Sequence, residues 1–202
     1  MIVDGDLVPG QRVPQDNIAR ALGVSRLPVR EALISLEREG WITTKPHRGS
    51  FVNGVDEKTV RDHYALYGEF FGFAARRALD RMSPDELSDL AAFSAELSAA
   101  ADAEKVYEVN GRYLRHLIRA AASDQLVMTL RSMSELVPGN FFAVVPGAIT
   151  TQKRGIAALQ AALEHGDAAA ATEACGAMER EQADNVLAVL PQVDPSAADA
   201  TS

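Results

Sequence analysis

Two arginines, Arg26 and Arg30, stand four residues apart near the start of the run SRLPVREALISLEREG (25–40). On a helix that spacing puts both guanidiniums on one flank, away from the apolar stripe of Val29, Ala32, Leu33 and Leu36. A planar guanidinium can donate two parallel hydrogen bonds to guanine O6 and N7, worth about 1–3 kcal/mol of discrimination. Ser25 is a good N-cap, and with the helix N-terminus behind it can meet a phosphate. No comparable set exists for catalysis: the sequence has no nucleophile elbow, phosphate loop, C-x-x-C or H-E-x-x-H. Acid pairs such as Asp85/Glu86 read as helix-start charges. His47, His63 and His165 are far apart and lack metal-type spacing, and His63 and His165 are expected on solvated helix faces. The single cysteine, Cys175, excludes a disulfide framework and a Cys-rich zinc site, and is expected to be a small buried residue.

These residues need a scaffold, and the pattern supplies one. Residues 15–22 place Ile18, Ala19 and Leu22 on one helical face, with Gly23 as a stop. After a short turn the 25–40 helix follows, with Pro28 tolerated in its first turn and Gly40 ending it. Trp41 to Thr44 is β-prone, His47-Arg48-Gly49 reads as a turn, and Ser50-Phe51-Val52 resumes the strand pattern. From Asp56 on, the chain reads as helix throughout. Val60, Tyr64, Tyr67, Phe71, Ala74, Ala75 and Ala78 form the apolar face of a long first helix, and Ser83-Pro84-Asp85-Glu86 opens the next. Further helices are expected near 104–122, 124–136, 150–165 and 168–190, with a short one at 140–145. The fold class is therefore mainly α: a head at 1–53 with a small hairpin, then an antiparallel bundle of six to seven helices at 56–190. The polar tail 191–202 is expected to be disordered.

Of the 202 residues, 47% are apolar and 24% charged, the balance of a globular protein. Formal net charge is −8, unevenly spread. Residues 1–52 hold seven Lys/Arg against six Asp/Glu, and the remaining 13 and 22 give the body −9. An acidic body is a poor DNA surface, whereas a nearly neutral head can bind DNA if its arginines gather on one face. No apolar run approaches the ~18 residues of a membrane span. The opening MIVDGDLVPG lacks the basic region of a secretion signal, so a cytoplasmic location without a membrane partner is expected.

PGQ at 9–11, IARALGVSRLPVREAL at 18–33, EGW at 39–41 and RGSFV at 48–52 together resemble the winged-helix DNA-binding domain of the GntR family of bacterial regulators. The resemblance implies that Arg26 and Arg30 read bases, while Arg12, Ser25, Lys45 and Arg48 touch backbone or minor groove. Pro28, His47 and Gly49 complete the expected DNA-contacting set. Most of the first helix that family members carry before the PG turn is not expected here.

The helical remainder resembles the FCD effector domain of the FadR subgroup. Many such domains hold a divalent metal on one Asp and three His, which helps grip a carboxylate. The matching stretch is GRYLRHLIRAAASD (111–124): Gly111 stands at the Asp position, Arg115 at the first His and Asp124 at a following Asn. The later His positions fall near Ile156 and near Met178 or Glu181, so no metal cofactor is expected. His116 is about 100° around the helix from the ligand position. Arg115 could instead grip a carboxylate directly, with Asn110, Gly111 and Tyr67 in the same pocket. Phe141 to Val145 could cap that pocket or pack at a dimer seam. The resemblance thus implies a transcription regulator, a repressor, bound as a homodimer to a palindromic operator and modulated by a small organic acid. The alternative is a helical interaction protein whose winged head contacts protein.

Overall fold

Helix α1 (Gln15–Leu22) ends at Gly23, whose left-handed backbone (φ 64°) lets its N–H reach the carbonyls of Ala19 and Arg20. Helix α2 (Arg26–Arg38) follows, burying Val29 and Leu33 and half-burying Leu36. Strands β1 (Ile42–Lys45) and β2 (Gly49–Val52) pair antiparallel, with Ile42 opposite Val52 and Lys45 opposite Gly49. The preceding segment adds to this wing: Gly10 N donates to Val52 O, Val52 N to Gln11 O and Val13 N to Ser50 O. Leu7, Val13, Trp41, Ile42 and Val52 close the small core over Val29 and Leu33. This computed structural model describes residues 7, 9–38, 41–53, 57–133 and 140–189. The expected stop at Gly40 and the tail 191–202 lie outside them.

The chain divides at Thr59/Val60 into this unit and a helical one, Val60–Ala188. The latter contains α3 (Glu57–Leu79, whose first three residues belong to the head unit), α4 (Pro84–Ala99), α5 (Ala103–Ala120), α6 (Asp124–Ser132), α7 (Phe141–Val144), α8 (Ala148–Glu164) and α9 (Ala168–Leu187). Side-chain caps start most of them. Ser83 and Glu86 form the reciprocal capping box of α4, and Asp102, Ser123, Asn140 and Asp167 cap α5, α6, α7 and α9. No helix among the described residues is long and apolar enough to cross a membrane.

Small residues set the helix spacing. Helix α3 runs against α9 with Arg61 paired to Asp184 and Arg76 hydrogen-bonded to Thr172. Between those contacts, a Cβ on Gly68 would lie 3.1 Å from the Cα of Gly176. Helices α8 and α9 are tighter still: a Cβ on Gly155 would meet Met178 Cγ and Sδ at 2.4 Å and its Cβ at 2.7 Å. Part of that clash is with the root of Met178, which a rotamer change cannot move. We expect Gly155→Val to cost about 3 kcal/mol by overpacking, read as a lower urea midpoint, whereas Gly166→Ala clashes with nothing and costs only backbone strain.

Candidate functional site

The head gathers its cations around a concavity of about 750 Å3 between α1, α2 and the hairpin. Arg12, Arg26 and Arg30 all line it, so three of the arginines nominated from sequence share one face. Arg12 stretches across the wing, with Nε 2.8 Å from where a Cβ on Gly49 would be. Gly49 is required twice, for that approach and for its φ of 96°. Arg26 Nε pairs with Asp16 Oδ1 at 2.7 Å, both side chains exposed. An exposed pair of this kind is worth at most about 1 kcal/mol, so a phosphate or base edge can displace it. Lys45, His47 and Arg48 are exposed at the hairpin tip. Ser25 stands with Arg26 on a second, shallower hollow at the start of α2. Pro28 is exposed in the first turn of α2 and lines an apolar hollow with Leu22, Val24 and Leu36.

The body bears a half-open cavity of about 620 Å3 lined from α3, α5, α7, α8 and α9. Tyr67, Asn110, Gly111 and Arg115 all face it, the four residues nominated for a pocket. Arg115 is exposed at its edge and folds back over Gly111, where a Cβ would sit 2.9 Å from Nη1. It has no polar partner among the described residues. Aromatic rings form one wall. His63 and Tyr67 meet edge-on at 4.8 Å between centroids, Tyr67 stacks on Phe71 at 5.8 Å, and Tyr64 faces Phe141 at 6.4 Å. Of the two roles open to the Phe141–Val145 stretch, Phe141 and Phe142 take the cavity wall.

Four features were not found from sequence. Gln152, Glu179 and Gln182 face the cavity: Gln152 and Gln182 lie one turn from the expected Ile156 and Met178, which are packed in the core, and Glu179 is next to Met178 and two residues before Glu181, the other position expected there. His63 is half-buried on the cavity wall rather than solvated, and burial lowers its pKa. The carboxamides form a chain: Gln152 Nε2 donates to Asn110 Oδ1 (2.8 Å), Gln182 Nε2 to Gln152 Oε1 (3.1 Å), and Asn185 Nδ2 to Gln182 Oε1 (3.2 Å). Glu179 is 7% exposed and has no polar partner among the described residues, and burial pushes its carboxyl up to about 8. Cys175, one turn earlier, is buried as expected, its thiol pushed up to about 12.

This donor set does not fit a divalent cation. The amide oxygens of Asn110, Gln152 and Gln182 each already accept a hydrogen bond, the three carboxyls at the cavity are spread over α5 (Glu104, Glu108) and α9 (Glu179), and Arg115 adds positive charge. Among the described residues no group of three or more His, Cys, Asp or Glu converges.

Comparison with known proteins gives two family matches: "Bacterial regulatory proteins, gntR family" over residues 1–52 and "FCD domain" over residues 71–180. An uncharacterised HTH-type transcriptional regulator of Mycobacterium tuberculosis (strain ATCC 25618 / H37Rv) is 34% identical over 142 residues, 70% of this chain and 58% of that protein. The chain therefore spans less than two thirds of that relative's length. The Nta operon transcriptional regulator of Aminobacter aminovorans is 30% identical, over 68% of this chain and 66% of its own. Among solved structures, E. coli McbR/YncC superimposes with a TM-score of 0.60 at 20% identity, covering 93% of this chain and 92% of that one. A putative transcriptional regulator GntR from Rhodococcus sp. RHA1 gives 0.54 at 21% identity, covering 93% and 92%. Mainly helical, with a two-stranded wing on a helix-turn-helix head and an FCD body, this chain belongs to the GntR family of bacterial regulatory proteins.

Proposed function

We propose that the chain is a transcription regulator that binds a palindromic operator as a homodimer, represses from it, and releases or shifts it when a small carboxylate binds the body. The observation that carries the reading is the convergence of Arg12, Arg26 and Arg30 on one face of a GntR-type head, with Lys45 and Arg48 at the adjoining wing. Helix α2 enters the major groove, Arg26 and Arg30 grip base edges, and Ser25 meets a phosphate at the helix N-terminus. Arg12, His47 and the wing tip follow the backbone into the minor groove, Gly49 letting the main chain come close. In the body, Arg115 takes the effector carboxylate through its guanidinium fork without a metal, beside Asn110, Gly111 and Tyr67. The effector acts by differential affinity for two placements of the heads.

The test is selection of genomic fragments by the purified chain, followed by affinity measurements against salt. The reading predicts a palindromic winner bound far more tightly than bulk DNA. Uniform weak binding, with no enriched sequence, would overturn it in favour of a protein-contacting head. The wing makes a separate prediction. Lys45→Ala and Arg48→Ala should each weaken binding about equally on all sequences and reduce the slope of log affinity against log salt by about 1, as loss of a phosphate contact does.

A further inference from the structure

Glu179 is an acid that the helical packing leaves facing the cavity. It is more than nine-tenths buried, it faces the cavity, and no described residue gives it a hydrogen bond. A carboxyl held this far from bulk water, with its oxygens open to the cavity, gains from any donor placed there. The neighbouring amides of Asn110, Gln152 and Gln182 hydrogen-bond one another and none of them donates to Glu179. Taking the body as the effector domain, we infer that its cavity binds a small ligand of the α-amino-acid class, with the carboxylate on Arg115 and the primary ammonium between Glu179 and the ring wall.

Three observations converge on a dipolar ligand. The cavity pairs one cation free of described partners with one buried acid, which matches a molecule bearing both signs of charge. The two groups sit on different helices, α5 and α9, and the amide chain from Asn110 through Gln152 to Gln182 spans the floor between those helices. The rings of Tyr64, Tyr67 and Phe71 offer π-faces, which attract an ammonium and give nothing to a second carboxylate. The other ionisable groups at the cavity are His63, Tyr64 and Tyr67 on α3 and Glu104, Tyr107 and Glu108 on α5; Cys175 lies one turn before Glu179 on α9. Charged lining from α7 and α8 is absent among the described residues. Since burial holds Glu179 protonated, an arriving ammonium must ionise it, and binding releases that proton to solvent.

The full chain is titrated by calorimetry at pH 6.5, in two buffers of different ionisation enthalpy. The probes are the twenty L-amino acids, their deaminated acids and their decarboxylated amines. One amino acid should bind at least about tenfold more tightly than both of its analogues and release about one proton. Glu179→Gln should erase the preference and the proton release while the deaminated acid still binds, and Arg115→Gln should weaken both acids. If the deaminated acid binds as tightly as its amino acid without proton release, Glu179 is a neutral donor to a carboxylate; the inference then fails and the carboxylate reading stands. If amines alone bind, or no probe binds, both fall.

Discussion

Lysine at positions 26 and 30 together is expected to lower affinity for the selected operator by roughly 10²- to 10⁴-fold, while affinity for random DNA at the same salt changes little. The two lysines keep the charge, so they keep the electrostatic attraction that underlies non-specific binding. They lose the rigid fork that fits guanine O6 and N7. Arg26→Lys/Arg30→Lys therefore separates base reading from charge, which an alanine pair would not. The check is competition binding of the operator against random duplex at fixed salt. Parallel losses on both DNAs would mean that Arg26 and Arg30 touch only phosphates.

The ion pair from Arg26 to Asp16 adds a second handle on the same reading. Because both partners are exposed, the pair is a weak competitor for the guanidinium. Asp16→Asn is expected to raise DNA affinity on all sequences by a few-fold at low salt, fading as salt screens the carboxylate. Combined with Arg26→Ala, its effect should shrink to the small gain from removing one negative charge, if Arg26 is the group that Asp16 restrains.

Legibility followed amphipathicity. The stripe of α2 fixed Arg26 and Arg30 on a solvent flank because Val29 and Leu33 had to point inward, and the structure buries both. Ser83, Pro84 and Glu86 spelled the start of α4 residue by residue, and the capping box is present. Helix α9 was opaque for the opposite reason. In AAAATEACGAMEREQADNVL alanine lies on every side, so no stripe tells which of Glu173, Glu179 and Glu181 faces in. Tertiary partners decide it. Glu173 pairs with Arg180 on the outside and Glu181 bonds Thr151 and Arg154. Glu179 faces Gly68 of α3, where a Cβ would stand 3.6 Å from its own. A glycine on one helix makes room for an acid on another, and no periodicity within either helix records that. The cavity residues of α8 escaped similarly: Gln152 lies one turn before the expected Ile156, and its facing is set by Asn110 and Gln182.

Stability of the unliganded chain is expected to fall as pH rises from about 6.5 to 8, and Glu179→Gln should remove that fall. The sign follows from proton counts. Unfolded, Glu179 titrates near 4.5; folded, near 8. Between those values the folded chain holds one more proton than the unfolded chain, so raising pH favours unfolding by about 1.4 kcal/mol per pH unit. The whole window from 4.5 to 8 amounts to about 5 kcal/mol, and the Glu179 contribution levels off above pH 8, beyond which the buried Cys175 thiol continues the fall in both chains alike. His63 acts the other way: burial lowers its pKa from 6.5, so below that value the unfolded chain binds more protons and stability rises with pH. The lowered carboxyls of Glu86, Glu96 and Glu181 also oppose the fall, but only at more acid pH, around and below 4.5. Above about pH 7.5 these opposing contributions are essentially complete, so the fall toward pH 8 is the part that belongs to Glu179. Urea unfolding of wild type and Glu179→Gln at half-unit steps from pH 5 to 9 should give curves that diverge toward alkali, with the glutamine chain the more stable. Parallel curves would mean that water reaches Glu179 in solution. An ammonium ligand that pairs with the ionised carboxylate should flatten the wild-type curve as the substitution does, because it supplies the partner that the fold withholds.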